Sequence, residues 1–289
     1  MTQNQPSART FEMNLDIDAP KELVWNAISQ DTELARWFAP EASVTPGEGG
    51  EIVWQWNDFF RWPQTIEVWE PGERLMTRYD SPVEDGEGGR VPLFVDFRLE
   101  ARGEGSTTLR FVHSGFGPEA DFDEEYDGIS TGWPVELRSL RHYLENHVGR
   151  ERHLTWSTAV VAQPAAEAWA RLMGPEGLGF GADVGQAAEG SALSLTMPSG
   201  DTLEGHLLRS HPTEVIARIE SHDNAFLRLS ADCCGGNTHV WMWLATYDGP
   251  KPELERLQTN WDALLAGLFP DQVDPSGVAP ERDLVSKEG

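Results

Sequence analysis

His113 is the polar residue best placed to do chemistry. In the run Leu109, Phe111, His113 every second side chain points to the same side of a strand, so the imidazole shares a face with two apolar neighbours. An inward imidazole orients a ligand or acts as a general base, provided that it lies within hydrogen-bond reach of the reacting proton. The ordinary alternative is a buried histidine satisfied by a neighbouring helix or loop. No carboxylate is spaced so as to commit it to this face, so no dyad follows. The stretch Asp123-Glu-Glu125-Tyr-Asp127-Gly128 begins like a calcium loop, but Pro134 stands where the bidentate carboxylate belongs, and a solvated loop is the better reading. His142 and His147 are five apart and do not share a helix face. His206, His211, His222 and His239 show no ligand spacing, and Cys233-Cys234 reads as part of a turn beside Gly235-Gly236. A redox role for that pair needs a lowered thiol pKa. There is no glycine-rich phosphate loop, nucleophile elbow or Ser/His/Asp pattern. The expectation is no catalytic residue, no metal and no cofactor.

Composition narrows the partners. The 289 residues are 39% hydrophobic and 10% aromatic, the profile of one large or two ordinary soluble domains. Acidic residues number 48 against 22 basic ones, a net charge of −26, and the only lysines are Lys21, Lys251 and Lys287. Nucleic acid and anionic membranes need clustered cations, so both are poor partners. The acidity reads as a solvated surface and leaves a high-salt habitat open. Adjacent cysteines cannot staple distant segments, and no signal peptide or run of about 18 apolar residues is present. A cytoplasmic protein without membrane insertion is expected.

The elements that must position His113 follow from periodicity. Phe11, Met13, Leu15 and Ile17 alternate with polar residues as a half-buried strand does. Asp18 before Ala19-Pro20 reads as a helix start whose apolar face is Val24, Trp25 and Ile28. A second short helix is expected over Glu33–Phe38. Strands are expected around Ile52, Trp54 and Trp56, then over Gln64–Glu70, Arg74–Tyr79, Pro92–Arg102 and Thr107–Ser114. An acidic loop, Glu119–Asp127, precedes a long helix from about Thr131 to His147. On that helix Trp133, Leu137, Leu140, Leu144 and Val148 make one apolar stripe. Strands followed by a packed helix imply an α+β domain, an antiparallel sheet wrapped on that helix.

The second half repeats this plan more weakly. Ala19-Pro20 to Trp25 aligns with Gln163-Pro164 to Trp169, and Trp133, Leu137 and Leu140 align with Trp261, Leu265 and Leu268. Between them Leu99, Gly105, Thr108 and Phe111 align without gaps to Leu229, Gly235, Thr238 and Trp241. Two tandem domains are expected, 9–150 and 153–270, followed by a flexible tail, 271–289; a lid formed by 153–270 is the alternative.

Six ordered motifs carry a family resemblance: Asp18-Ala-Pro20-Lys-Glu-Leu-Val-Trp25, Ala35-Arg-Trp37-Phe38, Gly49-Gly50, Pro71-Gly72-Glu-Arg-Leu75, His113-Ser114-Gly115-Phe116 and Gly132-Trp133. With them, residues 9 to about 148 resemble the START-like (SRPBCC, Bet v allergen-like) superfamily, in the branch of the activator of heat-shock-protein-90 ATPase homologues. The second half resembles it distantly, with Trp243-Leu244-Ala245 at the His-Ser-Gly position. The resemblance implies a helix-grip fold whose cavity, between sheet and C-terminal helix, holds an apolar small molecule. Trp54, Trp56, Phe97, Phe111, His113, Trp133 and Leu137 would line it, with Trp37 and Phe116 near its mouth; the plain alternative is that the rings only fill the core. The expected function is therefore binding of a hydrophobic or aromatic small molecule. The alternatives are a START-like cyclase or hydrolase using the same cavity, with His113 handling a proton, and a chaperone-activator-like interaction module. A homodimer and a chaperone partner stay open.

Overall fold

The computed structural model describes residues 8–56, 61–85, 87–234, 236–248 and 251–273. The chain divides between Gly149 and Arg150 into two compact units. Residues 274–289 of the expected tail lie outside the described residues; before them, the Val273 N–H donates to the Val160 carbonyl.

In the first unit, strand β1 (Arg9–Ile17) leads into helices α1 (Lys21–Ser29) and α2 (Asp31–Leu34). Six strands follow: β2 (Glu41–Thr45), β3 (Glu51–Gln55), β4 (Arg61–Glu70), β5 (Arg74–Glu84), β6 (Arg90–Arg102) and β7 (Ser106–Phe116). Helix α3 (Asp123–Asn146) closes the unit. The strands pair antiparallel in the order β1-β7-β6-β5-β4-β3-β2, a meander whose last strand returns to β1. The inner face is written in the alternation: Leu75, Thr77 and Tyr79 on β5, Val95, Phe97 and Leu99 on β6, and Leu109, Phe111 and His113 on β7 are all buried. Trp133, Leu137, Leu140 and Leu144 of α3 are buried too, as a helix packed on that face requires.

Several boundaries differ from the sequence reading. Pro20, not Asp18, is the N-cap of α1, and no side chain caps it. The Asp18 N–H instead donates to Glu145 Oε1 at 3.1 Å. The second helix ends at Leu34, earlier than Phe38, and β2 has no counterpart among the expected strands. Of the expected acidic loop, Ala120–Phe122 form a single 3-10 turn and residues 123–127 begin α3, where Asp123, Glu124 and Glu125 occupy the first turn and complement the positive end of the helix dipole. Because α3 ends at Asn146, Val148 leaves the apolar stripe and is 40% exposed. His147, past the helix end, swings its ring to 5.3 Å from His142, so the two histidines meet although helical spacing keeps them apart.

The second unit runs β8 (Arg152–Val161), α4 (Ala165–Met173), β9 (Ala192–Thr196), β10 (Thr202–His211), β11 (Glu214–Ile219), β12 (Ala225–Cys234), β13 (Asn237–Tyr247) and α5 (Lys251–Leu268). Its strand order, β8-β13-β12-β11-β10-β9, is that of the first unit with one strand fewer. Pro164 stands at the N-cap of α4 as Pro20 does at that of α1, and Leu257, Trp261, Leu265 and Leu268 of α5 enter the core. Each unit is thus α+β, an antiparallel sheet gripping a C-terminal helix. Cys233 and Cys234 end β12 rather than sitting in a turn, and Cys233 is an exposed free thiol.

One anchor of the internal alignment fails at the strand face. Arg102 pairs with Ser106 across residues 103–105, whereas Cys234 pairs with Asn237 across residues 235–236. The turn is one residue shorter, and an odd offset sends the facing strand's side chains to the other side. Val240, Met242 and Leu244 therefore point into the core, while Trp241, aligned with Phe111, stands on the opposite face with Trp243 and His239.

Candidate functional site

The aromatic residues of the first unit converge on Trp133. Its ring stacks on Phe38 at a centroid distance of 5.3 Å and meets Phe111 at 4.3 Å. Phe97 and Trp54 approach it at 6.0 and 6.2 Å. Leu137, one turn along α3, is fully buried beside the same face. Trp56, just past β3, sets its edge on Phe38 at 5.1 Å. Trp37 donates its indole N–H to the Ala27 carbonyl at 2.8 Å. Phe116 lies 5.1 Å from the His113 ring. Trp37 and Phe116 are 1% and 0% exposed, so they belong to the interior rather than to a rim.

His113 is at the centre of a directed hydrogen-bond chain. The indole N–H of Trp133 donates to Nδ1 at 3.0 Å. An indole can only donate, so Nδ1 is the bare nitrogen and the neutral ring carries its proton on Nε2. That N–H donates to the Tyr79 hydroxyl at 3.0 Å, and the hydroxyl donates to Glu125 Oε1 at 3.1 Å. Burial pushes the imidazole pKa down to about 3, so the ring is neutral near pH 7. Both nitrogens are engaged and the residue is 0% exposed. His113 is therefore built to hold the aromatic wall in place, and abstracting a proton would require breaking one of these bonds.

The local backbone explains why Phe116 reaches the imidazole. Gly115 has φ +106°, and a Cβ there would lie 2.6 Å from the Pro92 carbonyl oxygen. Only glycine accepts both that dihedral and that approach. Gly115 is the extra residue of a bulge in β7, where the pairing with β1 steps from Thr10–Ser114 to Arg9–Phe116, and this leaves Phe116 on the same side of the strand as His113.

Sequence reasoning missed Tyr79, Glu125, Phe38, Trp62 and Gln64. Tyr79 was legible, since Leu75, Thr77 and Tyr79 alternate as Leu109, Phe111 and His113 do. Trp62 and Gln64 alternate in the same way with Ile66. Glu125 carried no such signal, because its link to Tyr79 spans 46 residues and needs α3 to begin at Asp123. Among the described residues, no group of three or more His, Cys, Asp or Glu side chains is placed to hold a metal ion. None of the helices among the described residues is long and apolar enough to cross a membrane.

Residues 18–145 match the family model "Activator of Hsp90 ATPase homolog 1-like protein". No curated protein matches the chain. Among solved structures, protein MLL2253 from Mesorhizobium loti is similar at 26% identity, covering 47% of this chain and 96% of its own, with a TM-score of 0.41. The Aha1 dimer from Colwellia psychrerythraea is similar at 23% identity over 49% of this chain and 99% of its own, with a TM-score of 0.42. The di-domain ARO/CYC BexL of the BE-7585A biosynthetic pathway covers 92% of this chain and 99% of its own at 15% identity, with a TM-score of 0.42. At these TM-scores the structural likenesses carry no argument about function. The first unit is thus similar to that family over residues 18–145, its antiparallel sheet around a C-terminal helix is a START-like helix-grip fold, and the second unit repeats that topology.

Proposed function

We propose that the first unit binds a hydrophobic or aromatic small molecule between its sheet and α3. The observation that carries this reading is a contrast between two copies of one topology. The second unit's core cluster is mainly Leu, Val, Ile, Ala and Met, with Trp169, Trp261 and Phe269 as its aromatic members; Phe226 and Tyr247 are buried outside that cluster. The fold therefore closes without an aromatic wall. In the first unit rings from α3, β3, β5, β6 and β7 and from the segment after α2 gather around His113 and Trp133. At the matching helix position of the second unit, Trp261 donates its N–H to Met197 Sδ at 2.9 Å, with no imidazole in the arrangement. Broad π faces with few polar groups suit a planar or lipidic ligand. Trp54, Trp56, Phe97, Phe111, His113, Trp133 and Leu137 are its contacts in this reading, with Trp37 and Phe116 supporting them. The protein works in the cytoplasm, without nucleic acid.

Native mass spectrometry of the freshly purified full chain tests the proposal, followed by denaturation and identification of the released small molecule. The expected result is a stoichiometric apolar mass that is lost in Trp133→Ala, a variant whose stability falls by about 3–5 kcal/mol. A folded Trp133→Ala variant that keeps the ligand at unchanged affinity overturns the assignment.

A further inference from the structure

The inner face of β3 and β4 holds hydrogen-bond donors that the protein leaves unmatched. The indole N–H groups of Trp54 and Trp62 and one end of the Gln64 carboxamide are buried without a hydrogen-bond partner. Trp54 and Gln64 are each 1% exposed. Burying such a group unpaired costs on the order of 1–3 kcal/mol, so three together call for an explanation.

They form one patch. Trp54 and Trp62 are direct cross-strand partners, as are Ile52 and Gln64. The two indoles meet at a centroid distance of 5.2 Å, and Trp62 lies 5.0 Å from Tyr79 and 6.4 Å, stacked, from His113. Three of the polar side chains around them, Thr77, Tyr79 and His113, are already bonded. Thr77 donates to the Gln64 oxygen, Tyr79 joins His113 to Glu125, and both nitrogens of His113 are used. Turning the Gln64 amide over exchanges which of its ends is open, but the indoles can only donate. What is missing is an acceptor. The occupied groups around the patch are neutral apart from the carboxyl of Glu125, so a carboxylate or phosphate would be buried without a countercharge. A ketone oxygen, with two lone pairs and no charge, meets two neighbouring N–H groups at no such cost.

We propose that this patch receives the carbonyl oxygen of a neutral, planar aromatic ketone, with Trp54 and Trp62 as donors and Gln64 beside them. The assignment rests on the binding reading above and adds its polar specificity. The ring system lies along the aromatic wall and the carbonyl faces β3 and β4.

The test compares 9-fluorenone with fluorene, which has the same outline and a methylene in place of the carbonyl. Binding of each to the full-length protein is measured by equilibrium dialysis, and the ketone stretch of bound fluorenone by infrared difference spectroscopy. Fluorenone is expected to bind about tenfold tighter, the worth of one or two net hydrogen bonds, with its ketone band shifted to lower wavenumber. In Trp62→Phe and in Gln64→Leu the preference shrinks and the Trp62→Phe band moves back, while fluorene binds as before, which also reports that each variant is folded. Equal affinities with an unshifted band in the unaltered protein overturn the ketone assignment and leave the apolar reading standing. Failure of both probes to bind overturns that reading and this one with it.

Discussion

Acid should destabilise the first unit through His113, by an amount that its burial sets. Burial holds the imidazole near a pKa of about 3 against the ordinary 6.5. Above 6.5 the ring is neutral in both the folded and unfolded chain and contributes no pH dependence. Between 6.5 and about 3 the unfolded chain binds a proton at this residue that the folded chain does not, so stability falls as the pH drops. The slope approaches 1.4 kcal/mol for each pH unit below the unfolded pKa, so about 3 kcal/mol is lost by roughly pH 4. The ring is wholly buried, so solvent screening does not reduce this figure. The perturbation is His113→Gln, which removes the titration. The assay is native-state hydrogen exchange of the β7 amides, which reports this unit separately, from about pH 7 to about pH 4. Near pH 7 the variant should be the less stable protein, since it disturbs the bonds to Trp133 and Tyr79. The gap should then narrow as the pH falls, because only the unaltered protein carries the penalty. Carboxylates outside the His113–Tyr79–Glu125 chain act on both proteins alike and cancel in the comparison. Parallel stability curves for the two would refute the buried neutral imidazole.

Two further outcomes follow from single sites in the same unit. Asp96 receives two bonds from Arg74, each 3.0 Å, and two from Arg98; burial raises its pKa, but these bonds prevail and hold it below the usual carboxylate range. Asp96→Asn should therefore cost about 2 kcal/mol near neutral pH in denaturant titrations, and the loss should fade as acid protonates the carboxylate. Gly115→Ala forces a side chain onto a positive φ and against the Pro92 carbonyl; it should cost more than about 1 kcal/mol by the same method. An unchanged midpoint would remove Gly115 from the explanation of where Phe116 sits.

Much of the first unit could be read from local pattern. Period-two alternation located the strands that carry Phe97, Phe111 and His113, because a half-buried sheet imposes its periodicity on the chain directly. The stripe on α3 named Trp133, Leu137, Leu140 and Leu144 for the same reason. Acidic residues obscured the start of α3, since a charged first turn and a solvated loop share one composition and only the helix dipole tells them apart. His147 escaped because a residue beyond a helix end obeys no helical spacing.

The amino-acid sequence by itself determined the α+β class, the doubled plan and the aromatic character of the first unit, for these depend on periodicity and side-chain type. Which face each strand of the second unit turns inward was decided only in three dimensions, where a turn shorter by one residue sent Trp241 away from the place its alignment with Phe111 implied. The tautomer of His113 was decided there as well. Trp133, Tyr79 and Glu125 are far from it in the chain, and the bonds they make exist only once the sheet has closed around α3. The unmatched donors of Trp54, Trp62 and Gln64 belong to the same level: a hydrogen bond left unmade is a property of the packed interior and leaves no mark on the order of residues.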